Sequence, residues 1–372
     1  MTVRPLIVSA LLEPGSLGKL NELQWDLLIR QGRRTNLLAR LAHRMKTECM
    51  IDSVPHAPRQ HLLSSLRMVE RQDTAMRWEV ECIRQALLDT GVPIILLKGA
   101  AYVMAGLPAA HGRTFSDVDI LVPRNRLNEV EDQLRIMGWR GMNHSAYDQR
   151  YYRRWMHEIP PMRHIGRGTA IDVHHAILPE TARIKVNTPA LLADPVPLAE
   201  HPSLCVLKPV DMLLHSATHL FHEGELGNGL RDLFDLDSLF QEFGTENSFW
   251  DDLLPRAKEL GLTRPLYYAI RYTNSLLDTP IPEHIKQAAM IGKPARPMAA
   301  LMDFCYLRAL LPSHASCDST GSEIARLALY IRSHWIRMPF HLLAIHLTRK
   351  AFMRPKLPGA EQALNKNGKE DG

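Results

Sequence analysis

The stretch that decides the fold is Ile94–Pro123, IILLKGAAYVMAGLPAAHGRTFSDVDILVP. It opens with a short apolar run rich in β-branched residues, which reads as a strand. AAYVMAGL then suits a helix that starts at a glycine turn, and Pro108–Ser116 reads as a loop. DVDILV closes the stretch as a second strand. That strand carries Asp117 and Asp119, and a carboxylate inside an otherwise buried run is costly unless something pairs with it. Side chains alternate along a strand, so both aspartates project to one face while Val118, Ile120 and Val122 project to the other. Two like charges this close make each other harder to ionise.

A divalent cation removes that cost. Mg²⁺ takes oxygen ligands and is commonly held by one or two carboxylates together with substrate phosphates. Downstream, RNRLNEVEDQLRIMG reads as an amphipathic helix stopped by Gly138, and GTAIDVHHAIL (Gly168–Leu178) as a further strand. On it Asp172 and His174 share one face, and Ile171, Val173 and His175 share the other. If this strand lies beside the first, Asp172 joins Asp117 and Asp119. Three carboxylates can hold two metals about 3.5–4 Å apart, the arrangement used for in-line phosphoryl chemistry. Upstream, Gly99 turns the chain into a helix whose N-terminal amides suit a phosphate. Lys98 adds a point charge, and Arg113, in the loop before the paired aspartates, can reach a phosphate oxygen. Taken singly, each piece has a plain structural reading, because Asp-x-Asp pairs recur at strand edges and turns. The order is what carries information: glycine turn, helix, loop, Asp-x-Asp strand, helix, Asp strand.

The chain has 372 residues, 45% hydrophobic and 23% charged, with a formal net charge of +5. That is room for two or three packed units and is not the composition of a disordered chain. The charge permits an anionic ligand without requiring one. Basic clusters such as Arg153-Arg154 suggest local patches. Five cysteines, at positions 49, 82, 205, 305 and 317, are widely spaced with no Cys-x-x-Cys. A disulfide framework or zinc ribbon is not expected, and a reducing cytoplasm fits. No apolar run approaches a membrane span, and the short apolar run at the start reads as an ordinary N-terminus.

Leu20–Lys46 and Arg59–Gly91 each show helical spacing, the second ended by Gly91 and Pro93. Pro179–Pro209 is proline-rich and reads as a connector holding one more strand around Leu204–Leu207. From Pro209 on, helical patterns return, through VDMLLHSATHLFHEG, LRDLFDLDSLFQEFG, FWDDLLPRAKELGL and RPLYYAIRYTNSLLDT to a basic helical tail. The expected division is residues 1–90 helical, 91–208 an α/β core, 209–356 helical, and a polar, disordered 357–372.

These motifs resemble the uncharacterised bacterial nucleotidyltransferases of the DNA polymerase beta-like superfamily. The resemblance rests on LKGAAYVMAG, Arg113, SDVDILV, His157-Glu158, IDVHHAI and HSATHLFHEG followed by Arg231 and Asp235, with WDLLIRQGRRTNLLARL upstream. It implies an α+β fold: a mixed, curved nucleotidyltransferase sheet flanked by N-terminal helices and a C-terminal helical domain. It implies a Mg²⁺ or Mn²⁺ site at Asp117, Asp119 and Asp172, which are then also the catalytic acids. A nucleoside triphosphate is the implied substrate, with Lys98, Gly99, Arg113, His174 and Arg231 as its binding residues. The acceptor is left unidentified, as a small molecule or a protein. RNA is not favoured, because no module interleaves aromatic and basic residues. Two positions depart from the family's habit: Ala100 follows Gly99 where serine is common, and His175 stands where tryptophan is common.

Other residues carry two readings. His215, His219 and His222 fall at i, i+4 and i+7, a spacing that can bind zinc, but without nearby cysteine they read as polar core, with one of them facing the candidate site as the alternative. Arg231 and Asp235 read as an intrahelical ion pair or as cleft-positioning groups. His157 and Glu158 read as acceptor-binding groups or a structural pair. The tail's basic face (Arg326, Arg332, Arg337, Arg349, Lys350) reads as solvated, with peripheral membrane contact as the alternative. The rival to an enzyme is a non-catalytic nucleotide-binding or partner-binding module on the same fold.

Overall fold

The structure, a computed structural model, describes residues 4–141 and 156–337. Arg153-Arg154, Arg349, Lys350 and the expected tail 357–372 lie outside the described residues. The chain begins with helices α1 (Leu6–Leu12), α2 (Glu22–Arg34), α3 (Leu38–Thr47) and α4 (His56–Leu87). Asn21 and Gln24 form a reciprocal capping box that starts α2. The leucine pattern of 20–46 is carried by two helices rather than one continuous helix. The chain turns at Asn36, where φ is 56°, a conformation that asparagine tolerates better than most residues. After α4 the chain turns at Gly91, whose φ of +63° suits glycine.

Strand β1 (Ile94–Leu96), helix α5 (Lys98–Met104) and strand β2 (Asp117–Leu121) follow as the sequence indicates. Next come α6 (Leu127–Ile136), β3 (Trp139–Gly141), β4 (Met162–His164), β5 (Ala170–His174), α7 (Thr188–Leu192), β6 (Val196–Pro197) and β7 (Leu204–Val206). The seven strands form one open sheet in the order β3-β4-β5-β2-β1-β7-β6. It is mixed: β2 runs parallel to β5 and antiparallel to β1, and β1 runs parallel to β7. The fold is therefore α+β, as expected. The strand expected near Leu204 is β7, the inner neighbour of β1. Strands β3, β4 and β6, which the sequence did not reveal, extend the two edges.

The rest is helical: α8 (Pro209–His222), α9 (Gly229–Phe243), α10 (Asn247–Glu259), α11 (Thr263–Leu277), α12 (Glu283–Ala288), α13 (Arg296–Ala309) and α14 (Ser322–Arg337). Pro209 opens α8 at a position where its missing N–H costs nothing. One continuous apolar core joins the parts, from Ile7 through Ile95, Val118, Val173 and Leu213 to Leu329. Among the described residues, no helix is long and apolar enough to cross a membrane. The three described arginines of the expected basic face are engaged. Arg326 pairs with Asp318, Arg337 pairs with Glu223, and Arg332 donates to the Phe221 carbonyl and the Tyr306 hydroxyl.

A buried ion cluster ties three of these parts together. Asp235 on α9 accepts from Arg40 Nη2 of α3 at 2.6 Å and from Arg113 Nε, in the loop before β2, at 2.7 Å. Arg40 also donates to the Ala109 carbonyl at 2.7 Å. Arg113 lies against the rings of Phe115 and Tyr102, 5.4 and 5.8 Å from their centroids. The two guanidiniums outweigh the cost of burial and hold the Asp235 carboxyl below the usual range. The i, i+4 pair expected between Arg231 and Asp235 is not made. Arg231 turns instead to Asp232, donating through Nε and Nη2 at 2.9 and 2.7 Å. Asp235→Asn would remove the nearest counter-ion of two buried guanidiniums. The expected loss is about 3–5 kcal/mol, measured as a fall in the urea midpoint with far-UV dichroism unchanged below the transition.

Candidate active site

The site is built on the pairing of β2 with β5. Asp119 lies opposite Asp172 in the parallel register, and Asp117 lies opposite Ala170. Alternation puts Asp117 and Asp119 on one face, and the register brings Asp172 beside them. Val118 and Ile120 on the opposite face are fully buried. The strand is thus anchored from one side while its acids stand on the other.

Asp119 is buried, and its Oδ1 accepts two hydrogen bonds. Lys98 Nζ donates at 2.9 Å and His174 Nε2 at 3.0 Å. Burial alone would push the Asp119 carboxyl up, but the Lys98 and His174 partners outweigh it and hold the group well below the usual carboxylate range. Lys98 follows β1 directly and has φ of 46°, an unusual conformation for a side-chain-bearing residue. Such strain persists where the surroundings fix it, often at functional sites. Burial lowers the Lys98 ammonium, yet the Asp119 charge raises it further, so it remains charged.

The other two acids are not matched by partners. Asp117 accepts only from the Ser116 hydroxyl, at 3.0 Å. The Asp172 carboxylate makes no hydrogen bond or ion pair to a described residue, although its backbone is paired in the sheet. Burial raises Asp172, and the charges of Asp119, Glu158 and Asp117 raise it further, to about 7. Burial and the Asp119 charge likewise raise Asp117. Three carboxylates on adjacent strands, two of them short of partners, form the hard-oxygen donor set that suits Mg²⁺ or Mn²⁺. In donor type the three acids suit such a cation, although among the described residues the group whose ligand atoms already lie within 4.8 Å of one another is His157, Glu158 and His174.

Asp117 and Asp119 open on a polar cavity of about 370 Å³ between the β1–α5 turn, the β2 end, α8 and the start of α9. Lys98, Gly99, Arg113 and Arg231 all line it. At Gly99 a Cβ would come within 2.6 Å of Arg113 Nη1 and 2.7 Å of the Phe115 ring, so close packing rather than backbone angle demands glycine. Helix α5 has seven residues, too short for a strong helix dipole; Lys98 is the stronger attraction for an anion. Arg113 lines the cavity with its Nε committed to Asp235, and its Nη2 lies 3.9 Å from Asp232.

His174 lies behind Asp119 rather than in the cavity wall. Its Nδ1 faces Glu158 Oε2 at 3.4 Å. Burial opposes its charge, but Asp119 and Glu158 carry its pKa above the ordinary value. Burial raises the Glu158 carboxyl and drives the His157 imidazole well below its usual range. Of the α8 histidines, His219 lines the cavity, which is the alternative the helical spacing offered. His222 instead bonds the Thr218 carbonyl at 3.0 Å. The sequence reading missed Ser216, Glu223 and Asp232 as cavity residues. The signal was present: Ser216, His219 and Glu223 fall at i, i+3 and i+7 of one helical face. His175 points to the far side, where it joins Arg124 in a larger, mostly apolar hollow of about 680 Å³ that contains none of the three acids.

The chain's class follows from comparison with known families. It belongs to the uncharacterised nucleotidyltransferase family, whose model matches residues 21–278. The match contains the whole sheet, the acids and the cavity, and ends before α12. The family's description assigns it nucleotidyl transfer in general terms. No curated protein and no solved structure matches the chain.

One pH dependence follows from α8. Burial lowers His215 from 6.5 to about 3, with the Lys98 and His174 charges adding to it. The folded state therefore holds His215 neutral. Its contribution to stability is present above 6.5 and is lost as pH falls from there toward 3. A His215→Gln variant should lose less stability than wild type across that window, by several kcal/mol at about 1.4 kcal/mol per pH unit. Urea midpoints measured at stepped pH check this; parallel slopes would contradict it.

Proposed function

We propose that the protein transfers a nucleotidyl group from a nucleoside triphosphate to an acceptor hydroxyl on a small molecule or protein. The observation that carries this is the in-register pairing of Asp119 with Asp172, with Asp117 on the same face, beside a polar cavity that also presents Lys98. Asp117, Asp119 and Asp172 would hold the divalent cation, Mg²⁺ or Mn²⁺. When bound, it supplies charge neutralisation for the triphosphate and offsets the mutual repulsion of the three acids.

The chain's own groups do the rest. Lys98, released from Asp119, places its ammonium on a phosphate oxygen. Gly99, whose missing side chain leaves room for Arg113 and Phe115, lines the cavity beside Lys98. Arg231 and Arg113 add positive charge on the cavity's far wall, where Asp232 partly offsets it, while Asp235 fixes where Arg113 sits. His174 holds Asp119 in one orientation through Nε2. Asp172 would complete the acid set and accept the acceptor's hydroxyl proton.

A second reading is a non-catalytic nucleotide-binding or partner-binding module. It is favoured by the occupation of Asp119 Oδ1 by both Lys98 and His174, and by Ala100 standing where a phosphate-binding serine is common. An assay with α-phosphate-labelled NTPs, Mg²⁺ or Mn²⁺, and cell extract as acceptor source separates the two. The nucleotidyltransferase reading expects label transfer with pyrophosphate release, reduced roughly a hundredfold or more in Asp117→Asn and Asp119→Asn. Metal-dependent NTP binding without any labelled product would favour the module.

A further inference from the structure

A second group of side chains suits a metal ion of a different kind. His157, Glu158 and His174 each offer one ligand atom, and these atoms lie within 4.8 Å of one another. The backbone holds them together without help from a ligand. Glu158 pairs with His174 in an isolated antiparallel bridge, and the His175 N–H donates to the His157 carbonyl at 2.8 Å. Ligand atoms about 2.1 Å from a tetrahedral ion lie about 3.4 Å from each other. His174 Nδ1 and Glu158 Oε2 already stand 3.4 Å apart.

Two further observations point to a ligand. His174 Nε2 contacts Asp119 Oδ1 at 3.0 Å, and Asp119, already accepting from Lys98, leaves Nε2 as the protonated nitrogen. Nδ1 is then turned toward Glu158, a position that a proton holds in the metal-free protein and that a cation can take in its place. A carboxylate behind a histidine is the usual way to orient a metal-binding imidazole. His157 Nδ1 is shut off from solvent and has no hydrogen-bond partner among the described residues. A buried polar atom left this way is unfavourable unless something binds nearby to account for it.

We propose that His157, Glu158 and His174 form a binding site for a zinc-class divalent cation, separate from the aspartate set on β2 and β5. Two imidazoles and one carboxylate suit Zn²⁺, whereas Mg²⁺ prefers oxygen donors. The ion joins the 157–158 segment to β5 and locks His174, which fixes the orientation of Asp119. This inference goes beyond nucleotidyl transfer and stands whether or not that activity is found.

The test uses the full chain, stripped with a chelator and dialysed against Zn²⁺, with bound metal quantified. Co²⁺ serves as a spectroscopic probe of imidazole coordination. Wild type is expected to retain one equivalent of Zn²⁺ in the presence of excess Mg²⁺ and to give a visible Co²⁺ band. Glu158→Gln and His157→Ala should weaken Zn²⁺ at least tenfold and lose the band. Asp117→Asn should keep Zn²⁺ at wild-type affinity even where nucleotide binding is lost. Glu158→Gln is isosteric, and unchanged far-UV dichroism in it separates ligand loss from unfolding. No stoichiometric Zn²⁺ in wild type, or equal Zn²⁺ in the Glu158 and His157 variants, would overturn the proposal. Loss of Zn²⁺ in Asp117→Asn alone would overturn it too, by assigning the metal to the aspartates.

Discussion

The arrangement depends on one buried carboxylate. Asp119 is enclosed, yet it stays ionised because Lys98 and His174 both reach the same oxygen. Those partners come from different elements. Lys98 stands where β1 turns into α5, and His174 stands at the end of β5. The interaction therefore clamps three adjacent strands at the point where they meet the cavity. An unpaired charge at this depth would cost several kcal/mol, so the strands, the turn and the site are specified together.

The second constraint is the Asp235 cluster. It joins α3, the loop before β2 and α9, and so fixes one wall of the cavity relative to the sheet. Arg113 shows how structure divides a residue's duties. Its Nε serves the fold through Asp235, its flat face packs on Phe115 and Tyr102, and only one edge of the guanidinium remains near the cavity. Gly99 belongs to the same set of contacts, since a side chain there would displace Arg113. Stability and ligand access are thus set by the same few contacts.

Much of this was legible in the sequence, for a physical reason. Strand alternation assigns Asp117, Asp119 and Asp172 to faces without knowledge of the fold, and a parallel pairing of β2 with β5 is all that is needed to unite them. The apolar run at Leu204 is likewise self-evident as a strand. What was hidden involved contacts distant in the chain. Asp235 meets Arg113 across 122 positions and Arg40 across 195, so spacing within α9 suggested Arg231 instead. Strands β3 and β4 are three residues each, too short for alternation to register. The break between α2 and α3 is invisible to a leucine count, because the apolar spacing continues through it while the backbone at Asn36 does not.

In the proposed reaction the three aspartates and Lys98 together receive a metal-bound triphosphate. Calorimetric titration of an NTP into the protein tests this most directly, with Mg²⁺ present, with the metal chelated, and in Asp119→Asn. The account predicts saturable binding with Mg²⁺ that is lost on chelation and in the variant. Equal binding with and without Mg²⁺, or no binding in either condition, would contradict it.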